Sequence, residues 1–355
     1  MNILEKYGWN VFFNDYDLKN RSNKDFHIGR VVSVQGVKYH LVTDSGELIA
    51  ELSGKLLFGT EPELLPSVGD WVYFLKYDTQ GYIVEVFPRQ NALFRKNPGN
   101  RTERQILAAN IDYALIVQGL DRDFNLMRLD RYIVQIIGNG IKPVVVLNKT
   151  DLIEDRQFYQ QEIARLGRDC PVYFCSTVDQ SGLNELYTSV LQPKMTYILM
   201  GSSGVGKSSL VNALMTDLNR RTDSVSDSTN KGKHVTTTRD LFLLQNMSLI
   251  IDTPGMREFG IALNDEITSA GLFPVIDQLA GNCRFADCLH LNEFGCKVLQ
   301  AYEDGSLDPK IYESYLKLVK EQKHFEIKIE DKKRLGKQFG KMVREAKDYR
   351  RKYKY

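Results

Sequence analysis

The sequence predicts a multi-domain α/β chain with a small N-terminal β-barrel, a parallel sheet covered on both faces and a helical, metal-binding C-terminal part. Three observations predict it. Five short strand patterns separated by turn signals fill residues 26–96. Apolar runs alternate with helical periods over 97–263. Three cysteines and a histidine then crowd into the stretch Cys283–Cys296, near the start of a mostly helical region, 264–355. At roughly 150 residues per domain, 355 residues leave room for two or three domains with a core each. A composition of 43% hydrophobic and 26% charged residues excludes wholesale disorder, collagen-like repeats and coiled coil.

The barrel comes first. After a polar leader, residues 1–25, strands are expected at His27–Gln35, Val37–Asp44, Glu47–Leu52, Gly69–Tyr77 and Tyr82–Arg89. Gln35-Gly36, Asp44-Ser45-Gly46 and Thr79-Gln80-Gly81 supply the turns. The OB-fold is the common five-stranded barrel, and other small barrels fit the same pattern. In the second zone, strands are expected at Ile111–Val117, Pro143–Leu147, Val172–Cys175, Tyr197–Met200, Leu241–Leu244 and Ser248–Ile251. Helices are expected at Leu126–Ile137, Asp155–Leu166 and Ser208–Met215. Strand and helix in alternation argue for a parallel sheet between helical layers.

Gly201-Ser202-Ser203-Gly204-Val205-Gly206-Lys207-Ser208 matches the phosphate-binding pattern G-x-x-x-x-G-K-[ST] and sits between a strand and a helix, the context it requires. Glycines let backbone N–H groups wrap phosphates, and the helix N-terminus adds favourable partial charge. Lys207 is expected on the β- and γ-phosphates, Ser208 on Mg²⁺, and Ser209 beside them. Asn148-Lys149-Thr150-Asp151, at the end of a buried strand, selects the base. A carboxylate such as Asp151 accepts from both N1–H and the 2-amino group of guanine, whereas adenine would face it with an unpaired acceptor. Alone, N-K-x-D fits a helix-capping turn equally well. Ser176, at the end of the next strand, is expected to brace the base. Asp252-Thr253-Pro254-Gly255 follows another strand, with Asp252 placed for Mg²⁺ and the Gly255 N–H for the γ-phosphate. His234-Val235-Thr236-Thr237-Thr238 reads as a loop able to close on the γ-phosphate, with Thr236 the favoured Mg²⁺ ligand.

The order of these motifs is unusual, because N-K-x-D and the serine loop precede the phosphate loop. The sheet is therefore expected to be circularly permuted, a change that moves termini without disturbing strand pairing. With this order, the run DTPGMREF at Asp252–Phe259 and the spacing Cys283-x4-Cys288-x-His290-x5-Cys296, the chain resembles the ribosome small-subunit-dependent GTPases often called RsgA or YjeQ, over nearly its whole length. The resemblance implies an OB-fold (26–96), a permuted GTPase domain (97–263) and a zinc-bearing helical domain with a basic tail (264–355). It implies action with GTP in late maturation of the small ribosomal subunit, with turnover stimulated by the subunit and contact to its rRNA. Val235 departs from the threonine many members carry there.

Met256 stands where many GTPases place a water-orienting glutamine, so slow intrinsic hydrolysis is expected. His234 is the candidate to orient water instead. Cys283, Cys288, His290 and Cys296 suffice to close a tetrahedral Zn²⁺ with no open position, hence a structural site. The near-zero net charge of +2 hides an asymmetry. Residues 324–355 carry 12 basic and 5 acidic side chains, and the other 323 carry 35 and 40. Lys332-Lys333-Arg334, Lys337, Lys341, Arg344, Lys347 and Arg350-Arg351-Lys352, interleaved with Phe339, Tyr349 and Tyr353, suit a polyanion such as rRNA. No secretory pattern or apolar run of ~18–20 residues occurs, so a cytoplasmic, membrane-free monomer is expected. The rival readings are a GTPase serving tRNA or the large subunit, and a nucleotide-switched RNA-binding module with incidental hydrolysis.

Overall fold

The computed structural model describes residues 2–21, 24–60, 64–96, 104–121, 124–216, 239–252, 261–262, 273–286, 288–317 and 319. Two short helices, α1 (Ile3–Lys6) and α2 (Val11–Asn20), precede the barrel, and the Asn10 side chain caps α2 by accepting from the Phe12 amide. Five strands follow: β1 (His27–Gln35), β2 (Lys38–Thr43), β3 (Gly46–Leu52), β4 (Trp71–Tyr77) and β5 (Gln80–Val86), with helix α3 (Gly54–Gly59) between β3 and β4. They pair in the order β1-β2-β3-β5-β4, and β4 returns to β1, so the sheet closes as an OB-type barrel. Alternation along β4 makes its two faces: Val72 and Phe74 point into the barrel core with Val31, Leu41 and Ile83. Trp71 and Tyr73 point outward and are covered by Leu4 of α1 and Phe13 of α2.

Two strands, β6 (Ala92–Lys96) and β7 (Arg104–Ala109), lead to the second sheet. It comprises β8 (Tyr113–Gly119), helix α4 (Leu126–Gly138), β9 (Lys142–Asn148), α5 (Arg156–Ala164), β10 (Val172–Phe174), α6 (Leu183–Ser189), β11 (Thr196–Met200), α7 (Lys207–Thr216), β12 (Arg239–Leu243) and β13 (Leu249–Asp252). β14 (Ile261–Ala262) pairs with β6. β10, β9, β8, β11 and β13 run parallel in that spatial order, and β12 is antiparallel to β13. Period-two alternation splits the strand residues between two cores. Ala114, Ile116, Ile198 and Met200 meet Leu129, Ile133 and Ile136 of α4 and Ile163 of α5. Leu115, Val117, Tyr197 and Leu199 meet Leu183 and Leu186 of α6 and Leu210, Val211 and Leu214 of α7. The base-loop strand β9 thus precedes the phosphate-loop strand β11 in the chain, and the sheet is circularly permuted.

Barrel and sheet are one hydrogen-bonded surface, because β1 pairs with β12 at Ser33↔Asp240 and Val34↔Arg239. Buried Arg30 reinforces this joint. Its guanidinium donates to the Tyr7 carbonyl, the Asn110 carbonyl at 3.2 Å and Thr196 Oγ1 at 2.9 Å. The chain divides into two compact units, residues 1–95 with 105–265, and 96–104 with 266–355. The second contains α8 (Pro274–Ala280) and α9 (Lys297–Glu303) around a small core of Phe273, Ile276, Val298, Ala301, Leu307 and Tyr312. No helix among the described residues is long and apolar enough to cross a membrane.

Candidate functional site: a phosphate loop, a base pocket and a metal cluster

β11 is buried along its whole length and ends at Gly201, whose φ of +144° and closeness to the Val117 carbonyl leave no room for a side chain. The chain then rises through exposed Ser203 and Gly204 and turns back at Gly206, φ +95°, against the Asn148 amide group. α7 starts at Lys207, with the Leu210 amide bonded to the Gly206 carbonyl at 2.8 Å. Ser208 and Ser209 lie exposed on its first turn, while Ser202 and Val205 are buried below the loop. The Lys207 ammonium curls over the loop and donates to the carbonyls of Gly201 and Ser202, both at 2.7 Å. Burial lowers its pKa below the ordinary lysine value, and the negative charge of Asp252 opposes that shift. Asp252 closes β13 and is half-buried.

The base-side loops are tied to the phosphate loop. Asn148 is fully buried, and its Nδ2 donates to the Val205 carbonyl at 2.8 Å across 57 residues of sequence. Lys149 adopts a left-handed backbone, φ 69°, and starts a 3-10 turn over Thr150–Leu152. Thr150 is buried, with its amide on the Cys175 carbonyl at 3.2 Å and its hydroxyl 3.3 Å from that of Ser181. Asp151 is exposed, and its Oδ1 accepts from the Ser176 hydroxyl at 2.5 Å. Ser176 Oγ in turn accepts from the amides of Val178 and Asp179 at 3.1 and 3.3 Å. Ser176 therefore braces the carboxylate through its hydroxyl. Asp151 keeps lone pairs for two further donors. Thr177 lies half-buried beside Gly206.

The fold thus brings Asn148–Asp151, Ser176 and Gly201–Ser209 to adjoining strand ends, with Asp252 beside Lys207. His234, Thr236, Gly255 and Met256, and the basic tail from Lys332 to Lys352, lie outside the described residues. Val205 was expected in the phosphate loop, but the bond its carbonyl accepts from Asn148 leaves no trace in a motif because it acts through backbone. Asp121, whose carboxylate meets Lys149, is marked only by lying two residues beyond a strand end.

In the second unit the donor atoms of Cys283, Cys288, His290 and Cys296 all lie within 4.8 Å of one another. Cys283 Sγ and Cys296 Sγ are 3.9 Å apart, and His290 Nδ1 is 3.7 Å from the first and 3.4 Å from the second. Tetrahedral donors at about 2.3 Å (sulfur) and about 2.0 Å (nitrogen) from one ion require separations of about 3.5–3.8 Å, so these residues fit a single metal ion. The amides of Lys297 and Leu299, at the start of α9, donate to the sulfurs of Cys283 and Cys296, each at 3.3 Å. The Tyr312 hydroxyl holds the His290 carbonyl at 2.6 Å. Such outer contacts orient ligands and stabilise thiolate charge.

Comparison with known proteins gives a consistent result. Residues 86–262 match the family described as RsgA GTPase. The chain is 41% identical over 348 residues to a Bacteroides thetaiotaomicron protein named small ribosomal subunit biogenesis GTPase RsgA 1, covering 98% of this chain and 97% of that one. A Listeria innocua protein of the same name is 39% identical over 322 residues, 90% and 89% of the two chains. Among solved structures, YjeQ from Thermotoga maritima superposes with a TM-score of 0.61 at 26% identity, covering 83% of this chain and 98% of that one. YloQ, described as a circularly permuted GTPase, gives 0.57 at 27% identity, covering 86% and 98%.

Proposed function

The chain belongs to the RsgA GTPase family, and from that membership we infer that it is a GTP-hydrolysing factor in the biogenesis of the small ribosomal subunit. The observation that carries the reading is the bond from Asn148 to the Val205 carbonyl, which ties the proposed base loop to the proposed phosphate loop. In the proposed site Asp151, held by Ser176, accepts from N1–H and the 2-amino group of guanine. Asn148, Lys149 and Thr150 form the surrounding loop. The N–H groups of Gly201 to Ser209 wrap the phosphates, and Lys207 leaves its two carbonyls for the β- and γ-oxygens. Ser208, Asp252 and Thr236 are the residues that would hold Mg²⁺, which would supply charge neutralisation to the phosphates. Gly255 is the residue assigned to donate its N–H to the γ-phosphate, and His234 the one assigned to orient the attacking water, since Met256 stands where a glutamine would.

Intrinsic turnover is therefore slow and rises on the small subunit, whose rRNA meets the basic tail. Zn²⁺ is the metal for the Cys283/Cys288/His290/Cys296 set, since three thiolates and an imidazole are soft donors that fill all four positions. The protein works as a cytoplasmic monomer without membrane contact. Turnover of GTP measured alone, with each ribosomal subunit and with tRNA tests the reading. Selective stimulation by the small subunit is expected. Stimulation by tRNA or the large subunit instead, or by none of them, would contradict it. Loss of most stimulated turnover in His234→Ala is expected, and full retention would remove His234 from the mechanism.

A further inference from the structure

Asp121 lies outside every nucleotide motif, yet its carboxylate sits 2.5 Å from the ammonium of Lys149. The fold forces the meeting. β8 and β9 run in parallel with Gly119 opposite Asn148, and the Leu120 amide donates to the Asn148 carbonyl at 2.9 Å. The residues that leave the two strands therefore lie side by side. Lys149 is held there in a left-handed backbone conformation that side-chain-bearing residues seldom adopt without support. The two side chains are 27% and 29% exposed, and a partly exposed pair of this kind contributes little to folding. Its position does matter, because Lys149 lies between Asn148, which is bonded to the phosphate loop, and Asp151, which faces the base.

A lysine stem is an apolar platform tipped by charge. A purine laid along it covers methylenes and leaves the ammonium in need of a partner. We propose that Asp121 is a positioning residue for nucleotide binding: it anchors the Lys149 ammonium so that the stem stands as one wall of the purine pocket before the nucleotide arrives. This rests on the reading of Asn148–Asp151 as the guanine loop. Pre-ordering reduces the side-chain entropy lost on binding, so Asp121 acts on affinity and leaves the phosphoryl chemistry alone.

A double-mutant cycle on the full-length protein tests this, with a fluorescent GDP analogue as the probe. Asp121→Asn should weaken binding about fivefold in the natural background, but less than about 1.5-fold beside Lys149→Met. Asp121→Glu should recover most of the loss. In steady state the Asp121→Asn variant should raise KM for GTP and leave kcat in place. Equal losses in the two backgrounds, or no loss in the first, would overturn the proposal. Asp151→Asn checks the underlying reading separately, by a shift of preference from GDP towards xanthosine diphosphate. If that shift is absent, the guanine loop itself is wrong and the role of Asp121 falls with it. If the shift occurs and the cycle shows no coupling, only the role of Asp121 falls.

Discussion

The nucleotide loops are assembled from distant parts of the chain, whereas the four metal donors come from one short segment. Asn148 reaches Val205, and Asp151 reaches Ser176, because buried parallel strands deliver their ends to one edge of a sheet. Around Cys283–Cys296 the apolar core is small among the described residues, and contacts that hold the donors include amide-to-sulfur bonds and one tyrosine hydroxyl. The first arrangement rests on a large core. An ion held by the second would add its binding free energy to folding, so this part is expected to depend on it.

The largest effect should come from the metal-dependent side. Cys296→Ser removes a buried ligand and forfeits metal-linked stabilisation, which reaches about 10–16 kcal/mol in zinc-finger peptides. Zinc content should fall to background and residues 273–319 should become protease-sensitive. GDP affinity should stay within about twofold if the two sites are held independently.

On the nucleotide side, Lys207→Ala removes a charge curled over the phosphate loop. GDP affinity, read by titration with a fluorescent analogue, should fall by roughly 100-fold, about 2.7 kcal/mol, while zinc content stays at one equivalent. Smaller again is Gly206→Ala. A side chain at φ +95° is strained and collides with the Asn148 amide, a penalty of about 1–3 kcal/mol. Thermal unfolding should occur a few degrees earlier and GDP binding should weaken, with no change in metal content.

The smallest effect is a proton. Burial lowers the Lys207 pKa, whereas bound phosphates would favour its charged form and raise it. Binding therefore takes up protons as the pH approaches the lowered value, and GDP affinity declines as pH rises through it. Calorimetry along a series of rising alkaline pH values, in two buffers of different ionisation enthalpy, should show this uptake, and Lys207→Ala should abolish it.

The same contrast explains what was legible in the sequence. The three cysteines and the histidine are local in sequence, so their spacing already marked the four side chains that the fold brings together. The phosphate loop was legible because its glycines answer backbone geometry that only glycine tolerates, as at Gly201 and Gly206. The barrel strands were legible from short strand patterns between turn signals and the parallel strands from apolar runs, with β1 falling on His27–Gln35 as expected, while β6, β7 and β14 were not. Helix α2 was not, because its apolar residues do not form one clean stripe: Val11 and Leu18 are exposed while Phe13 is buried against Trp71. Arg30 was equally hidden, since a lone arginine in a strand gives no sign that carbonyls from distant segments will surround it. The pairing of Asp121 with Lys149 depends on strand neighbours that only the folded sheet supplies.

Hydrogen exchange on one sample, with and without a zinc chelator, tests the contrast most directly. Chelation should strip protection from the amides of 273–319, while those of Val144–Asn148, Thr196–Met200 and Leu210–Leu214 keep theirs and still gain protection when GDP is added. Simultaneous loss of protection in both regions, or unchanged protection around Cys283–Cys296 after the metal has left, would contradict it.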